Sequence, residues 1–208
     1  MSIKGIDVSY AQGKVNWLKV APNIGFCIVR GGYGQNSIDT QAETNLKMLN
    51  EFAVPTGMYW FSYAKTPDYA EREADYACDL ADKHKLWLPI FYDFEGASKR
   101  YLEKNNVPVT KELVRQNAIR FCERTKSRGY SAGIYLNKNY LENFYGTDFF
   151  TKHPEYYCWF AKLNYLGDYA EYPYIWQYSS TGVIDGISGN VDLNVLRVNY
   201  IKNFGKEK

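Results

Sequence analysis

The sequence has little of what several common classes of protein require. It contains only two histidines, which argues against a histidine-rich metal site and against a Ser-His-Asp triad. Its 25 Lys and Arg residues nearly balance 23 Asp and Glu residues, so the net charge of +2 does not favour a nucleic-acid or anionic-membrane partner. No apolar run reaches the roughly 18 residues that a transmembrane helix needs. The N-terminal residues MSIKGIDVSY lack the pattern of a secretory signal, so we expect a cytosolic product that is released before it acts outside.

Cysteines are few and widely spaced. No two of them form a C-x-x-C pair, and each lies within an apolar or amphipathic segment, which is typical of a buried thiol. We therefore expect free, buried thiols at the four positions Cys27, Cys78, Cys122 and Cys158.

Apolar and aromatic residues, by contrast, are abundant. Of the 208 residues 46% are apolar, and the chain contains 20 Tyr, 11 Phe and 5 Trp. This is enough apolar surface for a sizeable core, and the length is typical of one α/β domain, which we expect to span residues 1–208 with a loose tail from about residue 203. Aromatic side chains together with many carboxylates suit carbohydrate chemistry.

Strand and helix patterns alternate through the first two thirds of the chain. This alternation predicts parallel strands with right-handed crossovers, and eight strands suggest a closed barrel. The last strands are separated by about ten residues, too few for a crossover helix. The predicted fold is therefore α/β, an irregular TIM-like barrel of about five β/α units closed by three helix-poor strands. The predicted helices cover Ile38–Phe52, Thr66–Ala81 and Thr110–Gly129. The predicted strands lie near Gly5–Ser9, Gly25–Gly31, Thr56–Tyr63, Leu88–Glu95, Ser131–Leu136, Tyr156–Lys162, Tyr174–Ser179 and Val191–Asn194.

Acidic residues stand at the ends of two predicted strands and within a third. Asp7 ends the first strand, Asp93 and Glu95 end the fourth, and Asp192 lies in the eighth. Catalytic groups of parallel barrels collect at the carboxyl ends of the strands. Because Asp93 and Glu95 are two residues apart on a strand, their side chains should leave the same face, with Cα atoms about 6.6 Å apart.

Such a cluster is suited to the cleavage of a glycosidic bond. One carboxyl group must be protonated to donate to the leaving oxygen, and another must be ionised to stabilise the positive charge that develops on the sugar. Neighbouring negative charge raises the pKa of one member. We assign the acid to Glu95, whose side chain is longer, and the carboxylate to Asp93, while Asp7 and Asp192 hold water, substrate or the protonation state of the pair. Spacing alone also allows a divalent-metal site or a structural ion-pair cluster.

The segments that carry these acids resemble the family-25 glycoside hydrolases, the Chalaropsis-type N,O-diacetylmuramidases, which include many phage endolysins. The resemblance covers nearly the whole chain, and its blocks occur in the family's order. They read KGIDVSYAQGKVNW, FCIVRGGYG, PTGMYWFSYA, LPIFYDFEG, GIYLN and WQYSSTGVIDGISGNVDLN. One departure is in the third strand, where Trp60 and Phe61 stand in place of the His and Tyr that the family often has.

The resemblance implies a retaining lysozyme that cleaves the β-1,4 bond between N-acetylmuramic acid and N-acetylglucosamine in bacterial peptidoglycan. It also implies a flattened barrel, a catalytic pair formed by Asp93 and Glu95, with Glu95 as acid, and a pocket lined by Asp7 and Asp192. Asp93 would either attack the sugar or orient its 2-acetamido group. We expect a monomer that acts on the glycan strands of the cell wall, with no cofactor, no metal, no nucleic-acid partner and no membrane partner. The alternatives are a non-catalytic carbohydrate-binding barrel and a metal-dependent hydrolase that uses the same acids.

Several side chains near the predicted strand ends could contact a sugar. Aromatic rings stack on the apolar faces of sugars, and polar side chains beside them bind the hydroxyl groups. Packing in the core is the alternative for each ring, and a structural ion pair is the alternative for the arginine. Tyr59 and Tyr135 are favoured because both lie in matched motifs. The full set of substrate-binding candidates is Arg30, Tyr33, Tyr59, Tyr63, Tyr135, Trp176 and Gln177.

Overall fold

The chain forms nine strands and seven helices in a computed structural model, which describes residues 2–163 and 174–197. The tail predicted from about residue 203 lies outside the described residues. The strands are β1 Ser2–Val8, β2 Phe26–Tyr33, β3 Ser37–Ile38, β4 Thr56–Phe61, β5 Ile90–Asp93, β6 Ala132–Asn137, β7 Tyr157–Ala161, β8 Ile175–Gly182 and β9 Val191–Arg197. The helices are α1 Trp17–Val20, α2 Ala42–Glu51, α3 Pro67–Ala81, α4 Gly96–Lys104, α5 Lys111–Ser127, α6 Lys138–Tyr140 and α7 Phe149–Lys152, with a π-helical turn at Leu141–Tyr145.

Eight of the strands close into a barrel, which confirms the predicted fold class. The order around the barrel is β1, β9, β8, β7, β6, β5, β4 and β2, and the pairing of β1 with β2 completes the ring. The short β3 pairs only with β2, as a hairpin beyond the barrel.

The last strand runs in the opposite direction to the other strands of the barrel. From β1 through β8 the barrel neighbours run parallel, but β9 runs antiparallel to both β8 and β1. The physical reason is the connection over residues 183–190, which contains no helix. A connection that short can join antiparallel neighbours but cannot carry a parallel crossover.

The three predicted helices are present, and two begin at the predicted caps. The hydroxyl groups of Thr66 and Thr110 accept hydrogen bonds from the backbone N–H of Tyr69 and Leu113, at 3.4 and 3.1 Å. Helix α2 is shorter than predicted, because Ile38 belongs to β3. Helix α4 was not predicted, and its sequence gives little signal, since only Ser98 and Leu102 are buried.

The core divides into an outer and an inner cluster. The outer cluster lies between the helices and the outward faces of the strands. The inner cluster fills the barrel below the acids and contains Phe26, Ile28, Phe91, Trp159 and Ile175, all at most 2% exposed. The barrel interior is therefore packed rather than hollow, and polar groups are confined to its open end. The four cysteines are buried and free, as predicted. Across the two described ranges, no helix has the length and apolarity that a membrane crossing requires.

Candidate active site

Three of the predicted acids face the barrel interior at one end. The inward face of β1 carries Asp7, that of β5 carries Asp93 and that of β9 carries Asp192. Asp7 and Asp192 are direct partners in the antiparallel β1–β9 pairing. Asp7 and Asp93 are 6% and 4% exposed, while Asp192 is half-buried at the mouth. The topology thus brings together carboxyl groups from the beginning, the middle and the end of the chain.

The fourth acid, Glu95, is held by a helix start instead of a strand. Strand β5 ends at Asp93, earlier than predicted, and Phe94 turns into the core with 1% exposure. Glu95 is the N-terminal cap of α4, and its backbone N–H donates to the hydroxyl oxygen of Ser98 at 3.2 Å. Glu95 nevertheless acts electrostatically on Asp93, so the acid pair is kept although the strand is shorter.

Two amide side chains hold Asp7 in place. Gln177 on β8 donates from Nε2 to Oδ2 of Asp7 at 2.9 Å and, at 3.2 Å, to Oδ2 of Asp192. Asn194 on β9 donates from Nδ2 to the same oxygen of Asp7 at 2.7 Å. Both donors therefore reach one Asp7 oxygen, which leaves Oδ1 of that group for a proton.

The amides are themselves oriented by aromatic donors. The indole N–H of Trp159 donates to Oδ1 of Asn194 at 2.9 Å, and the Tyr135 hydroxyl donates to Oε1 of Gln177 at 2.8 Å. An amide oxygen accepts and an amide nitrogen donates, so these contacts determine which end of each amide faces Asp7. The inner rings of the barrel thus determine the hydrogen bonding of the acid.

Burial and repulsion favour a shared proton between Asp7 and Asp192. Burial, followed by the charge of Asp192, raises the pKa of Asp7 from 3.8 to about 8, against the hydrogen bonds from Asn194 and Gln177, which lower it. Burial also raises the pKa of Asp192, and its hydrogen bond with Asp7 lowers it. Asp7 is therefore the protonated partner near neutral pH, and the two groups together carry about one negative charge.

Burial likewise opposes the ionisation of both Asp93 and Glu95. It is the largest cause that raises the pKa of each, and Glu95 and Asp7, when they are ionised, raise that of Asp93 further. The positive charge of Arg30 lowers the pKa of Asp93. Oδ1 of Asp93 is buried and has no hydrogen-bond partner among the described residues.

The predicted substrate-binding residues fall into three groups. Tyr59, Tyr135, Gln177 and Arg30 lie beside the acids, where the rings of Tyr59 and Tyr135 pack edge-on against Trp159 at centroid distances of 5.7 and 4.6 Å.

Tyr33 and Tyr63 lie farther out, in a groove of about 670 Å³ next to α4, where their rings meet edge to face at 6.2 Å. The structure does not bring Trp176 to the acids. It precedes Gln177 on β8 and so faces outward, and its indole N–H donates to the backbone oxygen of Lys162 at 3.1 Å.

Three residues of the site were absent from the predicted set. Asn194 follows Asp192 by two positions, so the alternation that identified Asp93 and Glu95 would also have found it. Asp39 binds Arg30 and lies beyond β3, where no local pattern marks it. Trp159 lies in an apolar run, and only the structure reveals its polar contact. No group of three or more His, Cys, Asp and Glu within residues 2–163 and 174–197 is arranged to hold a metal ion.

Comparisons with known proteins agree on the family. The sequence matches the glycosyl hydrolases family 25 over residues 6–187. The fold is similar to that of the modular autolysin LytC from Streptococcus pneumoniae, solved in complex with a synthetic peptidoglycan ligand, with a TM-score of 0.79 and 28% identity over 94% of this chain and 47% of that one. This chain therefore spans about half the length of LytC.

Two further matches extend along most of the chain. The catalytic domain of the endolysin ply40, from bacteriophage P40 of Listeria monocytogenes, has a TM-score of 0.78 and 20% identity over 97% of this chain and 96% of that one. The uncharacterized protein YegX of Escherichia coli O157:H7 is 23% identical over 200 residues, which cover 93% of this chain and 69% of YegX. The proteins that are similar to this chain therefore differ in length.

Proposed function

The chain belongs to the glycosyl hydrolases of family 25, and on this basis we propose that it is a peptidoglycan hydrolase of the N-acetylmuramidase type. It would cleave the β-1,4 bond between N-acetylmuramic acid and N-acetylglucosamine. The observation that carries the proposal is the group of four mutually interacting acids, Asp7, Asp93, Glu95 and Asp192, at the open end of the barrel. The peptidoglycan ligand bound to LytC, which is 28% identical, supports the class of substrate.

In this proposal Glu95 is the general acid and base. It lies at the mouth, more exposed than Asp93, so the oxygen of a bound glycosidic bond can approach it. Glu95 donates its proton to that oxygen as the bond to the anomeric carbon breaks. It then removes a proton from the water that attacks the anomeric carbon, which regenerates the acid.

Asp93 supplies the negative charge. Arg30 is the cation that acts on Asp93 and favours its ionised form. Either Asp93 attacks the anomeric carbon, or it orients the 2-acetamido group of the sugar for that attack. In both routes the anomeric carbon is inverted twice, once when the leaving oxygen departs and once when water attacks, so its configuration is retained.

The pair formed by Asp7 and Asp192 limits the charge of the site. Because the two acids share a proton, they add about one negative charge next to Asp93 and Glu95 instead of two. A smaller charge raises the pKa of Asp93 less and so eases its ionisation. In our proposal residues 1–208 act as a single catalytic domain, as a monomer, on glycan strands of the bacterial cell wall after release from the cytosol.

The test is the replacement of Glu95 by glutamine, which keeps the shape of the side chain. We expect the wild type to clear a suspension of purified cell walls and to release fragments with a new muramic acid reducing end, identified by mass. Glu95→Gln should lose about 10²–10⁴-fold in rate, as expected for the loss of a general acid, with a melting temperature no lower than that of the wild type.

Glu103→Gln is the matched control, since Glu103 lies on the same helix with a side chain 53% exposed. Clearing by Glu95→Gln at the wild-type rate would refute the assignment. Wild-type protein that binds walls without releasing fragments would favour the carbohydrate-binding alternative, and activity abolished by EDTA would favour the metal-dependent one.

A further inference from the structure

The groove beside the acids contains an arginine among tyrosine rings. Its wall includes Tyr10, Arg30, Tyr33, Phe61 and Tyr63, and it reaches the first turn of α4, directly after Glu95. The rings of Tyr10 and Tyr33 are 57% and 40% exposed, so the groove has open aromatic faces. A pyranose ring or a short peptide fits the volume of about 670 Å³.

Arg30 is held rigidly within this groove. Its Nε donates to Oδ2 of Asp39 at 2.7 Å, and its guanidinium carbon lies 4.6 Å from the ring centroid of Tyr10 and 5.7 Å from that of Tyr33. Asp39 is itself fixed, because it also accepts from the backbone N–H groups of Tyr10 and Gln41, at 3.0 and 2.8 Å. The side chain of Arg30 is only 16% exposed. A guanidinium placed in this way loses little freedom when a ligand binds.

The terminal nitrogens of Arg30 are the part of the group without a described hydrogen bond. The bond to Asp39 uses Nε, and in the described part of the chain neither Nη1 nor Nη2 has a hydrogen-bond partner. Two parallel N–H donors of a guanidinium match the two oxygens of a carboxylate. Arg30 and Asp39 are the charged residues of the groove wall, and both oxygens of Asp39 are already occupied. Among the charged groups described in the groove wall, the terminal nitrogens of Arg30 are therefore the donors that a ligand can still use.

We propose that this groove is a subsite for a carboxylate carried by the substrate, with Arg30 as its anchor and the rings of Tyr10 and Tyr33 beside it. The inference rests on the proposed function and deepens it. N-acetylmuramic acid bears a 3-O-lactyl group, whose carboxyl is either free or joined to a stem peptide that ends in a carboxylate of its own. A polymer of N-acetylglucosamine has neither group. Recognition in the groove thus selects peptidoglycan over neutral β-1,4 glycans.

The first experiment needs no variant. Glycan strands stripped of stem peptides carry a free lactyl carboxylate, and treatment with carbodiimide and ammonia converts it to a neutral amide. The wild type should cleave the free form with a KM about tenfold lower than that of the amidated form. The same comparison on strands that keep their stem peptides shows which carboxylate is bound. If the groove binds the carboxylate of the stem peptide, amidation of those strands raises KM; if it binds only the free lactyl carboxylate, amidation leaves their KM unchanged. An equal KM on all free and amidated pairs would overturn the subsite.

The second experiment tests the anchor. In Arg30→Gln the ratio of KM on amidated strands to KM on free carboxylate strands should fall from about ten to about one, while Arg30→Lys should retain part of the preference. Any effect of Arg30 on Asp93 alters kcat on both substrates alike. The ratio of the two KM values therefore reports only on binding of the carboxylate in the groove. Arg72→Gln is the matched control, because Arg72 also stacks on a tyrosine, Tyr69 at 4.2 Å, but outside the groove.

The outcomes separate the two proposals. A preference for free carboxylate that survives in Arg30→Gln would overturn the role of Arg30. A wild type that cleaves none of the strands would instead refute the hydrolase function on which the subsite rests.

Discussion

Replacement of Asp7 by asparagine should make the protein more stable at neutral pH. Asparagine reproduces the protonated form of Asp7, since its oxygen can accept from both Gln177 and Asn194, and its NH₂ group can donate to Asp192. The wild-type carboxyl must take up a proton on folding whenever the unfolded chain has lost it. The amide of the Asp7→Asn variant has no such requirement.

The sign and size of the effect follow from the pKa of Asp7. It is raised from 3.8 to about 8, so between these values the folded state binds more protons than the unfolded state, and wild-type stability falls as pH rises. Below pH 3.8 the carboxyl is protonated in both states and the difference vanishes. A shift of about 4 pH units corresponds to a ceiling of about 6 kcal/mol. We expect roughly 2 to 6 kcal/mol, because the new amide must also be desolvated.

The assay is urea unfolding of the wild type and Asp7→Asn at half-unit steps from pH 4 to pH 8. The advantage of the variant should be small at pH 4 and should grow steadily up to about pH 8. Asp185→Asn is the control, because the side chain of Asp185 is 80% exposed, and its advantage should stay near zero at every pH. A variant that is less stable than the wild type at pH 7.5, or an advantage that does not depend on pH, would refute the shared proton.

Two further changes probe the groups behind the site. Trp159→Phe removes the donor to Asn194 and leaves a buried amide oxygen unpaired. It should lower the free energy of unfolding in urea by about 1–3 kcal/mol and lower kcat more than it raises KM. An unchanged kcat would show that this contact does not matter for activity. Glu73→Gln keeps the acceptor for the backbone N–H of Tyr63 at 2.9 Å. Burial raises the pKa of Glu73 to about 8, so the wild type loses stability as pH rises towards 8 and the variant does not. The difference in melting temperature between variant and wild type should therefore be larger at pH 8 than at pH 5. An equal difference at both pH values would contradict the raised pKa.

The parts of the site that could be predicted are those that residues close together in the sequence indicate. Asp7, Asp93 and Asp192 were found because strand alternation and the strand-end rule need only neighbouring residues. The helix that begins after Glu95 was missed because it buries only two side chains and so shows no apolar stripe.

The links between these acids were beyond any local pattern. The contact of Trp159 with Asn194 joins residues 35 positions apart, and that of Asn194 with Asp7 joins residues 187 apart. Such contacts depend on which strands pair and in which direction. The sequence could therefore supply the ionisable groups but not the hydrogen bonds that link them to their partners.

The reversal of β9 explains why the site is complete in this barrel. In the antiparallel register Asp192 stands opposite Asp7, and Asn194 stands opposite Gly5. A side chain on Gly5 would collide with the ring of Phe26, so this position must stay bare, and the bare position leaves Asn194 free to reach diagonally to Asp7. A shift of the register by one residue would turn both Asp192 and Asn194 out of the barrel. The pairing that closes the barrel therefore also supplies the second acid and the amide that control the protonation of Asp7.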